Sequence, residues 1–361
     1  MDIFRLYDSW FGPLRQLSPD ACRTRLTNMT WLVVGLYRAL HVHLSAIVRY
    51  WPGAAKNPSL CRRLERFLSN PAVRVREWYD AVARYWLKCA LETQGEVRLL
   101  VDGTKVGFGH QLLIVCLAFR RRAVPLVWTW VPCKRGHSSG RTQLALLSYV
   151  RGLLPRGARV LLAGDSEFGS VPVMRQLQRW RWGYVLRQKG SHGVRLPGAR
   201  TWQAFADLIT RPGQSIWCAT GRLTQHWQHR TALLAYWAPG EKEPWLLATN
   251  LPDARTARQV YARRMWVEEM FGDLKGHGWD LEATYLRHFM RLSRLTLAVC
   301  LLYAWLLQVG VTVIRRGLRD LVDRHDRRDL SLFRIGYDSI AKRLILDQPL
   351  IAPLASIVSG G

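Results

Sequence analysis

Val260-Tyr-Ala-Arg-Arg-Met-Trp-Val-Glu-Glu-Met-Phe-Gly-Asp-Leu-Lys275 reads as part of one helix with two chemically distinct stripes. At about 100° per residue, Tyr261, Arg264, Glu268 and Lys275 fall within an arc of roughly 60°. Val260, Val267, Phe271 and Leu274 fill the neighbouring arc. One side is an apolar anchor, and beside it runs a stripe of one carboxylate, two cations and a phenol. A carboxylate flanked by cations on a rigid element suits a divalent ion next to phosphates. The same pattern also describes a solvated amphipathic helix with i,i+4 ion pairs. Of the two adjacent acids, Glu268 lies about 80° round from Val260, beside the anchor, and Glu269 about 180° round. Glu268 is therefore the expected inward acid, and Glu269 a solvated or rim residue.

Composition narrows the partners. The 361 residues carry 53 Lys and Arg, mostly arginine, against 26 Asp and Glu, for a formal net charge of +27. The excess runs from end to end. With 49% hydrophobic residues and 17 tryptophans, the chain can bury a sizeable core and is not a disordered polycation. A globular chain this basic calls for a polyanion, with nucleic acid first, then anionic membrane or a ribosomal role. The seven cysteines are odd in number, form no Cys-x-x-Cys pair and often sit in apolar runs. Reduced thiols are expected, with neither zinc cluster nor disulfide framework. Asp2, Arg5 and Asp8 interrupt the opening residues, so no signal peptide is expected. The run Leu295 to Ile314 is long enough to span a bilayer. Thr296, Gln308 and Thr312 interrupt it, and a core helix is expected there instead.

Texture changes along the chain mark its organisation. Residues 1–95 read as helical and basic, with a helix over 60–68 capped by Ser59 and another over 72–92. Val97–Val101 is a short apolar strand ending in Asp102-Gly103-Thr104. Leu112–Phe119 and Val124–Val131 follow as two more strands of an antiparallel meander. A helix over about 141–153, a buried strand at 159–164 ending in Asp165, a helix over 170–180 and a strand at 183–187 complete a β-β-β-α-β-α-β order. Residues 188–256 read as short strands, at 215–219, 230–237 and 245–249. The helix quoted above runs from about Ala254 to Gly276, where Gly276-His-Gly278 supplies stop chemistry. Long helices follow to about 316, and 317–361 is a charged helical tail. The fold class is α/β, a mixed sheet flanked by helices.

Asp102 and Asp165 each stand where an apolar strand stops. Two such carboxylates on adjacent strands repel unless a divalent cation lies between them. With Glu268 they form a candidate two-metal site for phosphoryl transfer. Asp102 also fits a turn former, and Asp165 a helix N-cap. The run Lys134-Arg135-Gly136-His137-Ser138-Ser139-Gly140-Arg141 is a basic loop, fit either to lie on a DNA backbone or to be solvated.

The spacing Tyr261-(2)-Arg264-(3)-Glu268-(6)-Lys275 resembles the signature of one group of DDE transposases encoded by bacterial insertion sequences. Val101-Asp102-Gly103-Thr104 resembles that group's first-aspartate segment. Leu162-Ala-Gly-Asp165-Ser-Glu-Phe168-Gly resembles its second, and Trp245-Leu-Leu-Ala-Thr-Asn-Leu251 the strand before the third acid. The resemblance covers roughly 97–310. It implies an RNase H-like core in two parts, 96–187 and 257–316, around a β-rich insertion at 188–256. A helical DNA-binding domain at 1–95 and a C-terminal helical tail at 317–361 complete the expected division.

The same resemblance implies catalysis by Asp102, Asp165 and Glu268 holding two Mg²⁺ or Mn²⁺ ions, with cut-and-paste strand transfer. Tyr261, Arg264 and Lys275 would contact phosphates at the element's end. Trp245 is either a stacking platform for a flipped base or a core tryptophan. Lys134, Arg135 and Arg141 are further expected DNA contacts. The implied partners are transposon-end DNA with its terminal inverted repeats and target DNA, bound by a homodimer in the synaptic complex. A cytoplasmic, nucleoid-associated protein without a membrane anchor is expected. A nuclease or resolvase that cuts without joining, and an inactive DNA-binding derivative, are the alternatives. One departure stands out: the group usually has Arg-Gly after the second aspartate, where this chain has Ser166-Glu167. Glu167 is open to three readings: a group behind the ligands, a helix N-terminal acid or a rival ligand.

Overall fold

The computed structural model describes residues 3–106, 109–132 and 137–351. Five helices come first: Ile3–Leu17 (α1), Arg23–Ala39 (α2), Leu44–Ile47 (α3), Asn57–Ser69 (α4) and Val75–Gln94 (α5). Ser59 lies inside the first turn of α4, not at its cap; Asn57 and Pro58 open the helix, where a proline costs no hydrogen bond.

Three long strands, Val97–Val106 (β1), His110–Phe119 (β2) and Arg122–Val131 (β3), form the expected antiparallel meander. Val160–Gly164 (β4) and Gly183–Arg187 (β5) add to it in parallel. The helix Gly140–Leu153 (α6) connects β3 to β4, and Val171–Arg179 (α7) connects β4 to β5. The strand order β3-β2-β1-β4-β5, with the first three antiparallel and the rest parallel to β1, is the RNase H-like arrangement.

Residues 188–256 extend the same sheet instead of forming a separate one. Gly193–Arg195 (β6), Gln203–Ala204 (β7), Ser215–Leu223 (β8), His229–Tyr236 (β9) and Trp245–Thr249 (β10) continue it to ten strands, in the order β5-β10-β9-β8-β6-β7. The junction is β10 against β5, antiparallel, with Ala248 opposite Leu186.

Asp102 is not at the end of its strand. β1 runs on to Val106 because β2 pairs with it as far as Val106 opposite His110. What stops near Asp102 is the other edge, since parallel pairing to β4 ends at Val101 opposite Gly164. Asp102 and Asp165 therefore follow a matched pair on neighbouring strands, which lie about 5 Å apart.

Ala254–Ala262 (α8) and Met265–Leu274 (α9) follow the sheet, and then the long helix Phe289–Arg315 (α10). The N-terminal helices share one core with α10, which has the length and apolarity of a membrane span but is mostly buried in this fold. Trp10 packs edge-on against Trp305 at 5.1 Å. Buried Arg294 donates to the carbonyls of Val73 at 2.9 Å and Leu68 at 2.8 Å, tying α10 to the end of α4.

Leu332–Ile345 (α11) crosses α10 with backbones in near contact. A Cβ on Gly310 would stand 2.2 Å from the Leu332 carbonyl oxygen, and one on Gly336 would stand 2.0 Å from that of Leu306. Neither clash can be relieved by a side-chain turn. Gly310→Ala is expected to cost about 1–3 kcal/mol, read as a lower urea midpoint. An unchanged midpoint would contradict the crossing.

Candidate active site

The stretch 254–276 is two helices, not one. α8 and α9 are separated by Arg263 and Arg264, and Lys275 lies beyond the end of α9. At the break the amides of Arg264, Trp266 and Val267 bond three residues back, to Tyr261, Arg263 and Arg264. This tightening aims Arg264 at β1. Its Nη1 donates to Asp102 Oδ2 at 2.5 Å and stands 3.3 Å from Glu268 Oε1. Giving up part of a helical ladder costs about 1 kcal/mol per bond, less than leaving the Asp102 carboxylate, 1% exposed, without a cation.

The apolar anchor behaves as its pattern dictates. Val260, Val267, Phe271 and Leu274 are all buried. On the flank of α9, Arg122 at the start of β3 pairs with Asp273 at 3.2 Å and with Glu269 at 3.3 Å. Tyr303 of α10 donates to Asp273 at 3.2 Å. Burial raises the Asp273 carboxyl to about 6, against the opposing pull of Arg122. The adjacent acids thus part company: Glu269 belongs to this anchor, and Glu268 faces Arg264.

The sheet supplies the other two acids. Alternation puts Asp102 and Thr104 on the face that α9 covers, where Cys116 meets Met270 at 3.6 Å. Asp165 follows β4 and caps the turn Ser166–Phe168, accepting from the Ser166 amide at 2.7 Å. Burial first, then the negative charges of Glu268 and Asp165, lift the Asp102 carboxyl to about 6, with Arg264 pulling it down. The Arg264 guanidinium in turn feels Asp102, Asp165 and Glu268 together, which hold it more firmly protonated than usual despite its burial. Asp102 and Glu268 thus share one guanidinium, and the charge of Asp165 is felt there as well.

The remaining expected site residues are distributed as follows. Lys275 donates from Nζ to Thr104 Oγ1 at 2.7 Å and pairs with Glu282 at 2.5 Å, so it sits two residues along β1 from Asp102. Tyr261 is buried at 3% exposure, with Trp245 edge-on to its ring at 5.0 Å. Its hydroxyl makes no well-formed hydrogen bond among the described residues. Tyr261 and Arg264, expected at phosphates, are therefore turned inward here, because both sit under the α8–α9 break. Trp245 is half-buried between Tyr236 and Tyr261, which makes it a packing residue of the site wall. Arg141 is exposed in the first turn of α6. Lys134 and Arg135 lie outside the described residues.

Sequence reasoning missed Thr104 and Glu282, the two partners of Lys275. Thr104 had a usable signal, its period-two spacing from Asp102. Glu282, across the turns that follow α9, had none.

The arrangement can be tested against a divalent ion. Carboxylate oxygens are the donors such ions take, and a buried carboxylate facing two others calls for a cation. Among the described residues no three acids, histidines or cysteines stand close enough to hold an ion as they are placed. The donor set fits in kind, and the positive group that Asp102 and Glu268 face is the Arg264 guanidinium.

A family model described as a transposase DDE domain matches residues 94–305, from the end of α5 through most of α10 and across all three acids. Among solved structures, this chain is similar to one titled "Cryo-EM structure of piggyBac transposase synaptic complex with hairpin DNA", at 10% identity and a TM-score of 0.43, covering 99% of this chain and 82% of that one. Curated proteins give no match. The matched domain spans more than half of the chain, and the protein belongs to the DDE transposase family.

Proposed function

We propose that this transposase cleaves DNA at the ends of its own element and joins the freed ends to target DNA, in the cut-and-paste manner. The observation that supports this reading is the Arg264 guanidinium held between Asp102 and Glu268, with Asp165 following β4, the strand beside Asp102's own. In it, Asp102, Asp165 and Glu268 would hold two Mg²⁺ or Mn²⁺ ions. When bound, those ions would activate the attacking hydroxyl and stabilise the leaving oxygen of each phosphoryl transfer.

The chain's own residues bind and orient the DNA. Arg264 and Lys275 exchange their carboxylate partners for phosphates of the element's end, which offer the same bidentate or point-charge geometry. Tyr261, buried beneath them, fixes the angle of Arg264 through the ring it places 6.0 Å from the guanidinium carbon. Trp245 braces Tyr261 from behind. The net charge of +27 draws in both the element's end and the target. The acting species is a homodimer holding two ends, in the cytoplasm at the nucleoid.

The test is an assay with precut end DNA, supercoiled plasmid and Mn²⁺. Joined plasmid–end products are the expected result. Cleavage of uncut ends without any joining would replace this reading with a nuclease or resolvase.

A further inference from the structure

Glu167 lies two residues past Asp165, yet it serves the other face of the sheet. Its Oε2 accepts from Gln111 Nε2 at 2.7 Å, and its Oε1 accepts from the Ser138 amide at 2.8 Å. Its own carbonyl accepts from Gln143 Nε2 at 2.9 Å. Gln143 also reaches Ser138, at 3.0 Å to Oγ and 3.2 Å to the carbonyl. Gln111 and Gln143 are both buried, at 0% and 2% exposure. Four segments therefore meet on this carboxylate: β2, the stretch leading into α6, α6 itself and the turn that carries Asp165.

The glycine after Asp102 makes room for the junction. A Cβ on Gly103 would stand 2.3 Å from Gln111 Nε2 and 3.1 Å from Glu167 Oε2. Since neighbouring residues of a strand face opposite sides, Gly103 gives the junction its space while Asp102 faces α9. The residue two past Asp165 is thus fixed in a hydrogen-bonded knot that packs on the residue after Asp102, on the far side of the sheet.

We propose that Glu167 is a positioning residue for DNA cleavage, clamping the Asp165 turn to β2 and setting the entry of α6. This rests on the transposase reading above. Both of its oxygens are engaged in the clamp, which assigns it to this role over that of a rival ion ligand. The clamp requires an acceptor on residue 167 toward Ser138 and one donor–acceptor pair between residues 111 and 167. It does not require the carboxylate to be on residue 167.

A charge swap tests this. Gln111→Glu sets two carboxylates face to face and is expected to slow single-turnover cleavage of end DNA by roughly ten- to a hundredfold, as small misplacements of reacting groups do. End-binding affinity should stay near wild type. The double variant Gln111→Glu/Glu167→Gln restores both bonds, because the amide introduced at position 167 donates to the carboxylate introduced at position 111 and still accepts from the Ser138 amide. It should recover most of the rate. Glu167→Ala should lose rate, and its Ser138 amide should exchange faster than in wild type or the double variant. A double variant no faster than Gln111→Glu, or Glu167→Ala cleaving like wild type, overturns the clamp. An inactive wild type would bring down the transposase reading instead, and Ser138 exchange would still decide whether the clamp exists.

Discussion

Glu268→Ala is expected to bind transposon-end DNA much as wild type does while cleaving it at least about 10³-fold more slowly, the rate equivalent of the several kcal/mol a correctly held ion contributes. Glu268 is 39% exposed at its side chain and lies on the rim of the cluster, 3.3 Å from Arg264. Its removal leaves the buried Asp102–Arg264 pair intact, so the fold should survive. Asp102→Ala and Asp165→Ala should lose cleavage to a similar degree. Asp102→Ala should also lose stability, because it strands a guanidinium with 9% exposure. Glu269→Ala is the internal control. That residue pairs with Arg122 on the flank of α9, an exposed contact worth little, and its variant should cleave at close to the wild-type rate. If the two glutamates exchanged behaviour, with Glu269→Ala dead and Glu268→Ala active, the assignment of the third acid would fail.

The sequence was most legible where burial imposes a period. β5 and β10 fall at 183–187 and 245–249, as their apolar runs predict, and the meander and Val260–Leu274 anchor follow the same logic. It was least legible where one long-range contact overrides a local pattern. Helical periodicity runs unbroken through Arg263 and Arg264, yet the chain breaks there to reach Asp102, 162 positions away. The strand before Asp102 looks finished at a turn-forming Asp-Gly pair, yet β2 carries it on to Val106. Glu167 could not be resolved among its three readings because its partners, Gln111 and Ser138, are uninformative singly. Only the fold brings them together. The continuity of residues 188–256 with the core sheet was hidden for the same reason, since strand composition does not specify which edge a strand will pair with.

The Arg264 guanidinium makes the opposite prediction to that for Glu268, a large effect on stability that a metal ion can reverse. Arg264→Gln leaves Asp102 buried beside Asp165 and Glu268 with no positive group among them. Removing one partner of a buried pair typically costs about 3–5 kcal/mol, and the neighbouring acids add repulsion that the wild type does not feel. At pH 8 without divalent ions, the variant should therefore unfold at a markedly lower urea concentration. A divalent cation binds the native carboxylates and not the unfolded chain, so it stabilises in proportion to its occupancy. In wild type that gain is offset by the displaced guanidinium. In Arg264→Gln nothing has to be displaced, and three acids are left in want of charge. Mn²⁺ should raise the midpoint of the variant more than that of wild type, and free-Mn²⁺ measurements by electron paramagnetic resonance should show tighter binding to the variant. Arg264→Lys, which keeps the charge without the fork, should fall between the two. Equal responses of wild type and Arg264→Gln to Mn²⁺ would mean that Arg264 and the ions do not compete for one place. The three carboxylates would then not be the site that holds them.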